Sequence, residues 1–260
     1  MNGIKDGTGQ MGNVAGVYME NCNFINTSSA NHGGALCVAD ESEWGPGNIA
    51  SSFINTNFIN VTSRWFAVYL HGPFRTSESH ISEAQVFDGC NFINCTGTGE
   101  YSGGLGISHD GVQVLNSNFT NCTGGQGGAI MVGGIPGDHD AFNGHNEFGN
   151  DVIIDNCTFT GNVAKIEGQS SSYSPDHGGA RYYPNGNAGA IYVIGNRTII
   201  RDSVFDSNIA DGGNGAAVYI SGQNTKIQDT EFKNHESVNG TVYMLNEDGH
   251  ITDSEKQLQS

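Results

Sequence analysis

The stretch GCNFINCT, residues 89–96, is one copy of a motif that recurs along the chain and decides the fold. Aligned on its phenylalanine, the motif has seven copies: ENCNFINT (20–27), NTNFINVT (55–62), GCNFINCT (89–96), NSNFTNCT (116–123), NCTFTGNV (156–163), DSVFDSNI (202–209) and DTEFKNHE (229–236). Phe92 and Phe119 are 27 residues apart, and this is the shortest unit. A unit of this size cannot bury its own apolar face, so the period predicts a solenoid of stacked units.

Each unit contains two further β-like blocks. One follows the phenylalanine, as in GGALCV (33–38), GGAIMV (127–132) and GAIYVI (189–194), and one precedes it, as in DVIID (151–155) and RTIIR (197–201). Short runs rich in Val, Ile and aromatic residues between Gly and Asn turns are typical of strands. The alternative is an antiparallel sandwich, which has regularly spaced strands but does not repeat one side chain in every unit.

The residues around each phenylalanine form columns. A small residue lies two positions before it: Cys22, Thr56, Cys90, Ser117, Cys157, Ser203 and Thr230. Because side chains alternate along a strand, this column is expected to point inward with the phenylalanines. Asn or Asp usually lies three positions before, where we expect a tight corner. The asparagines two positions after, for example Asn60 and Asn94, predict a ladder of stacked amides.

The FxN pairs Phe58–Asn60, Phe92–Asn94 and Phe119–Asn121, followed by GGAI at 127–130, resemble the repeats of polymorphic outer-membrane proteins. They are also similar to adhesin-like surface proteins of methanogenic archaea. The resemblance covers about residues 14–254 and implies one all-β domain, 1–260. The implied fold is a single-stranded right-handed parallel β-helix of about seven to eight coils, with three short strands per coil and inserted loops. It further implies a non-enzymatic adhesin that binds carbohydrate or a cell-surface protein. Pectate-lyase-like enzymes share this fold, so a lyase or glycoside hydrolase is the alternative.

The charge excludes other classes of partner. Ten basic and twenty-seven acidic residues give a net charge of −17. Nothing in this composition would neutralise the phosphates of DNA or RNA.

The longest apolar runs are far shorter than the roughly 20 residues that span a bilayer, so no transmembrane segment is expected. We expect an extracellular or cell-surface location, and a chain without a signal segment that is a fragment of a larger protein.

Four insertions lengthen the units, at about 39–49, 71–84, 133–151 and 164–187. Insertions in solenoids form loops and often carry the binding face. Aromatic residues in or beside them are candidate ligand-binding residues: Trp44, Trp65, Tyr173, Tyr182 and Tyr183. Exposed aromatic rings can stack on sugars or anchor a protein. The alternative is that these rings fold back over the wall of the solenoid.

Two sets of carboxylates are candidates for chemistry. Asp138, Asp140 and Asp151 in one insertion offer the oxygen ligands that Ca²⁺ prefers, although a solvated acidic loop is the alternative. Asp202, Asp229 and Asp253 fall in one column of successive units, about 4.8 Å apart, and would be the catalytic carboxylates of an enzyme. They occupy the corner column, however, so a turn role explains them without catalysis.

The six cysteines belong to the repeat. Cys95 and Cys122 lie three positions after successive phenylalanines, so their Cα atoms should be about one strand spacing apart. We expect stacked free thiols there rather than a disulfide, and buried thiols for most of the others.

Overall fold

The structure, a computed structural model, describes residues 16–39, 51–71, 85–99, 101–133, 149–165, 186–245 and 249–252. Within these ranges 28 short strands, numbered β1 to β28 in chain order, form four sheets. Every strand pairing in this part of the chain is parallel, and each strand pairs with its equivalent in the next coil. The predicted parallel β-helix is confirmed.

The first two sheets meet at a corner. The first sheet contains β1 (Tyr18–Glu20), β5 (Ser52–Ile54), β9 (Val86–Asp88), β13 (Gln113–Leu115), β17 (Ile153–Asp155), β21 (Ile199–Arg201), β25 (Lys226–Gln228) and β28 (His250–Thr252). The second sheet holds the phenylalanine motif: β2 (Asn23–Ile25), β6 (Asn57–Ile59), β10 (Asn91–Ile93), β14 (Asn118–Thr120), β18 (Thr158–Thr160), β22 (Val204–Asp206) and β26 (Glu231–Lys233).

The other two sheets complete each coil. The third sheet contains β3 (Ser28–His32), β7 (Thr62–Trp65), β11 (Thr96–Gly97), β15 (Thr123–Gly124), β19 (Val163–Lys165) and β23 (Ile209–Asp211). The fourth contains β4 (Leu36–Ala39), β8 (Val68–His71), β12 (Leu105–Ser108), β16 (Ile130–Val132), β20 (Ile191–Val193), β24 (Val218–Ile220) and β27 (Val242–Met244). The three strands predicted for each unit belong to the first, second and fourth sheets. The short third sheet was not predicted.

The corners on both sides of the second sheet are built by residues with positive φ. Before it stand Asn21, Asn55, Gly89, Asn116, Asn156, Asp202 and Asp229, with φ from 45° to 64°. After it stand Asn26, Asn60, Asn94, Asn121, Gly161, Ser207 and Asn234, with φ from 53° to 64°. Asn, Asp and Gly adopt this left-handed conformation at least cost, which explains why the repeat is rich in them. The corner role predicted for the Asn/Asp column is confirmed.

The interior is dominated by one continuous stack of rings. The seven phenylalanines of the second sheet follow one another with centroid separations of 4.6–5.2 Å. Those from Phe58 to Phe205 are fully buried. The small residues two positions before them are buried as well, except Cys22, which is half-buried. Fixed register therefore places each side chain beside its counterpart in the next coil.

Amide ladders run along the outside. Asn60 Nδ2 donates to Asn26 Oδ1 at 3.1 Å and Asn94 Nδ2 to Asn60 Oδ1 at 3.2 Å, which confirms the predicted ladder. A second ladder one position before the phenylalanines was not predicted. In it, Asn57 Nδ2 donates to Asn23 Oδ1 at 2.7 Å, and the pattern continues along the second sheet.

All six cysteines are free, which agrees with the expectation of thiols at Cys95 and Cys122. The Cys95 thiol contacts the Phe58 carbonyl oxygen at 3.4 Å, and the Cys122 thiol contacts that of Phe92 at 3.5 Å. Burial raises the pKa of the Cys90 thiol to about 11 and that of Cys157 to about 12. Such thiols stay protonated at neutral pH and therefore serve packing rather than nucleophilic chemistry.

Candidate functional site

The insertions attach along both borders of the fourth sheet. Three described segments end on or directly after its strands, at Ala39, His71 and Gly133, and the chain is next described near the first sheet, at residues 51, 85 and 149. A fourth segment ends at Lys165 on the third sheet and resumes at Gly186, just before β20. The fourth sheet is therefore the insert-bearing sheet, with attachment points on each side of it.

Polar side chains fix the backbone where the insertion at about 133–151 ends. Asp110 Oδ1 accepts hydrogen bonds from the backbone N–H groups of Gly149 and Asn150 at 2.9 and 2.8 Å. Asn150 Oδ1 in turn accepts from Asn196 N–H, and Asn196 Oδ1 accepts from Gln223 N–H at 2.7 Å. Each polar side chain thus satisfies a backbone donor of the next coil. These hydrogen bonds fix the position of the backbone where the chain re-enters the solenoid after the insertion.

Trp65 is the predicted ligand-binding aromatic that the structure describes, and it is packed between coils. Its ring lies 4.3 Å from the His32 ring and 5.9 Å from the Tyr101 ring, with the Arg64 guanidinium 4.6 Å from its centroid. Phe66, with φ of 53°, covers Gly106, where even a Cβ atom would be 2.6 Å from the Phe66 ring. Trp65 therefore belongs to a cluster of aromatic rings packed on the wall of the solenoid. Trp44, Tyr173, Tyr182 and Tyr183 lie outside the described residues.

A tyrosine stack on the outer face of the insert-bearing sheet was missed from the sequence. Tyr192, Tyr219 and Tyr243 occupy one register position of β20, β24 and β27, with centroids 4.9 and 5.2 Å apart. The repeated tyrosine in GAIY, AAVY and GTVY is the signal that would have revealed it. Since these rings stack on one another, they present their edges outward rather than their faces.

The carboxylate predicted as part of a calcium site is engaged elsewhere. Both oxygens of Asp151 accept hydrogen bonds from Arg197, at 2.6 and 2.7 Å. Asp138 and Asp140 lie outside the described residues. Among the residues that the structure does describe, no three acidic, histidine or cysteine side chains come together as a metal site. Asp151 is therefore already paired with a cationic side chain.

The carboxylates considered for catalysis stand at corners. Asp202 and Asp229 have φ of 50° and 45° and exposed side chains, which is the conformation of the asparagines elsewhere in this column. Asp253 lies outside the described residues. Hydrogen bonds from Asn234 and Ser207 lower the pKa of nearby Asp206, which keeps that carboxylate ionised rather than able to donate a proton.

A buried polar column ends at His235. Asn162 and Asn208 are fully buried, and Asn208 Oδ1 accepts from both Asn162 N–H and Asn162 Nδ2. At the end of the column, His235 Nδ1 accepts from Asn208 N–H at 3.1 Å. Nδ1 accepts this hydrogen bond only while it is unprotonated, that is, in the neutral ring. Within the described part of the chain, His235 Nε2 is buried without a hydrogen-bond partner.

This geometry predicts a pH-dependent last coil. Burial lowers the pKa of His235, against the opposing effects of the Asn208 carbonyl oxygen, which lies 3.4 Å from Nδ1, and of Asp206. The unfolded chain therefore binds the proton first, so stability is complete above the ordinary pKa of about 6.5 and falls as pH decreases through the lowered value. Unfolding by urea at pH 7 and pH 5 should show a smaller loss in His235→Asn, which keeps an acceptor that does not titrate. An equal loss in both proteins would contradict the prediction.

No protein-family model matches the chain, and no curated protein matches its sequence. The described residues contain no helix with the length and apolar character needed to cross a membrane.

Proposed function

We propose that this protein is a non-enzymatic, adhesin-like β-helix of the cell surface or secreted space. In this proposal it binds carbohydrate or protein through the insertions around the fourth sheet. The observation that carries the proposal is the attachment of all four insertions along the borders of one sheet. A rigid repetitive scaffold with variable segments on one side is a common way to present a binding surface.

The corner geometry of Asp202 and Asp229 favours this proposal over a polysaccharide-active enzyme. Asn or Gly fills the same column in the five preceding coils, so the backbone accounts for the residue type. The net charge of −17 also disfavours an enzyme for polyuronates, because such a polymer is itself anionic.

A glycan array combined with a reducing-sugar assay on the same glycans tests the proposal. We expect binding without release of sugar ends, and unchanged binding by an Asp202→Asn/Asp229→Asn variant, since Asn also tolerates positive φ. Replacement of residues 166–185 by a short Gly-Ser linker should weaken binding. Release of sugar ends that disappears in the Asp202→Asn/Asp229→Asn variant would establish the enzyme instead.

A further inference from the structure

The outer surface of the second sheet in coils one to four carries an ordered, uncharged pattern. Two columns of asparagine run along the solenoid, and a mainly isoleucine column lies between them. The three columns are Asn23, Asn57, Asn91 and Asn118; Ile25, Ile59, Ile93 and Thr120; and Asn26, Asn60, Asn94 and Asn121. We call this surface the amide face. It is separate from the insert-bearing sheet.

The amides of this face are held in fixed orientations. Asn57 Nδ2 donates to Asn23 Oδ1 at 2.7 Å, and Asn57 Oδ1 accepts from Asn91 Nδ2 at 2.7 Å. Asn60 is bonded in the same way between Asn26 and Asn94. A primary amide has two N–H donors and two acceptor lone pairs, so each bonded amide keeps one donor and one lone pair for an outside partner. Because the ladder already fixes the side chains, a ligand would lose little affinity in ordering them.

The stripe between the amides is apolar and accessible. Ile25 is 53% exposed, and Ile59 and Ile93 are half-buried by their neighbours. Their register is exact from strand to strand, so the side chains follow one another at about 4.8 Å. The phenylalanines between the columns point inward and do not contribute to the surface. The result is an apolar line with hydrogen-bonding groups on both sides.

Charge identifies the kind of partner. Strands β2, β6, β10, β14 and β18 contain no charged residue, although the chain carries a net charge of −17. Glu20 and Asp88 lie just across the corner, at the ends of β1 and β9, and would repel an anionic polymer. A charged partner would also leave its charge unpaired on this surface.

We propose that the amide face binds a neutral polysaccharide chain laid along the solenoid axis. The C–H faces of the pyranose rings contact the isoleucine stripe, and the hydroxyl groups at their edges exchange hydrogen bonds with the free donor and acceptor of each amide. The proposal rests on the carbohydrate-binding function above, but it places the contact on a surface that the insertions do not border.

Co-sedimentation of the whole protein with microcrystalline cellulose and with chitin, and a binding assay with polygalacturonate as the anionic probe, test this assignment. We expect binding to at least one neutral polymer and none to polygalacturonate. Ile59→Asp/Ile93→Asp should weaken binding of the neutral polymer about tenfold or more. The two carboxylates would lie in the centre of a contact from which water is displaced on binding. Val86→Asp, outward and half-buried on the first sheet, is the matched control and should bind normally.

A milder variant guards against misfolding. Ile59→Thr/Ile93→Thr introduces the residue found in this column at Thr120 and Thr160, so it should keep the thermal unfolding midpoint while reducing binding. Absence of binding to both neutral polymers overturns the proposal. So does binding that survives both stripe variants but is lost when residues 166–185 are replaced, a result that would support the insertion-based function alone. A dimer in gel filtration that the stripe variants dissociate would instead assign the face to self-association.

Discussion

Phe92→Ala is expected to lower the free energy of unfolding by about 3–5 kcal/mol, the usual cost of removing a fully buried phenyl ring. Phe92 is completely buried, and its ring stacks at 4.7 Å on Phe58 and at 4.6 Å on Phe119. Its loss leaves a void in the middle of the stack, where neighbours on both sides are held in register and cannot close it. Urea unfolding followed by circular dichroism gives the change directly.

Phe24→Ala is the matched control, since the same side chain is removed at the end of the same stack. Phe24 is half-buried and stacks on one ring, Phe58, at 5.2 Å. We expect a clearly smaller loss of stability there, because one face of the ring has no stacked phenylalanine in the described structure. Equal losses for the two variants would mean that the stack does not act as a continuous core.

Asn208→Ala is expected to lower the free energy of unfolding by about 2–4 kcal/mol. Its carboxamide accepts from Asn162 N–H and Nδ2 and donates to the Phe159 carbonyl oxygen, all in the buried interior. Removing the carboxamide leaves the two Asn162 donors and the Phe159 carbonyl oxygen without this partner in a buried place. Each buried polar group that is left unsatisfied costs about 1–3 kcal/mol. The measurement is again the urea midpoint and slope at neutral pH.

Asn57→Ala tests whether burial is the cause. Asn57 also bonds to asparagines in the two neighbouring coils, at 2.7 Å each, but on the outer surface. Water can bond to the groups that this change releases, so we expect a loss below about 1 kcal/mol. A loss as large as that of Asn208→Ala would show that ladder formation matters more than desolvation.

Most of the fold could be predicted because the repeat encodes it locally. Positive φ at Asn21, Asn55 and Asn116 needs the same residue type in each coil, so the corners are visible in the sequence. The same is true of Phe58, Phe92 and Phe119, since stacking in register selects the same side chain. The third sheet was missed because its strands are as short as Thr96–Gly97, which leaves too few residues for a pattern of alternation.

The candidate sites were harder to predict because they depend on contacts between distant residues. Asp151 was predicted as a cation ligand because its carboxylate offers oxygen ligands. Its partner Arg197 lies 46 residues later in the sequence and is brought beside it by the coil spacing. For Trp65 the sequence left ligand binding and packing against the wall as alternatives, and His32 and Tyr101 from the flanking coils pack around it. The amide face, in contrast, follows from the repeat itself and is spread over four coils.

The coil between Phe205 and Phe232, which has no insertion, shows how the length of the solenoid depends on the number of coils. Twenty-seven residues of chain lengthen it by one strand spacing of about 4.8 Å, whereas the same number in an α-helix would span roughly 40 Å. Length is therefore added in equal steps, each carrying its own corner asparagines and one phenylalanine. Duplicating residues 206–232 should extend the solenoid by one coil without altering the surfaces on either side of the junction.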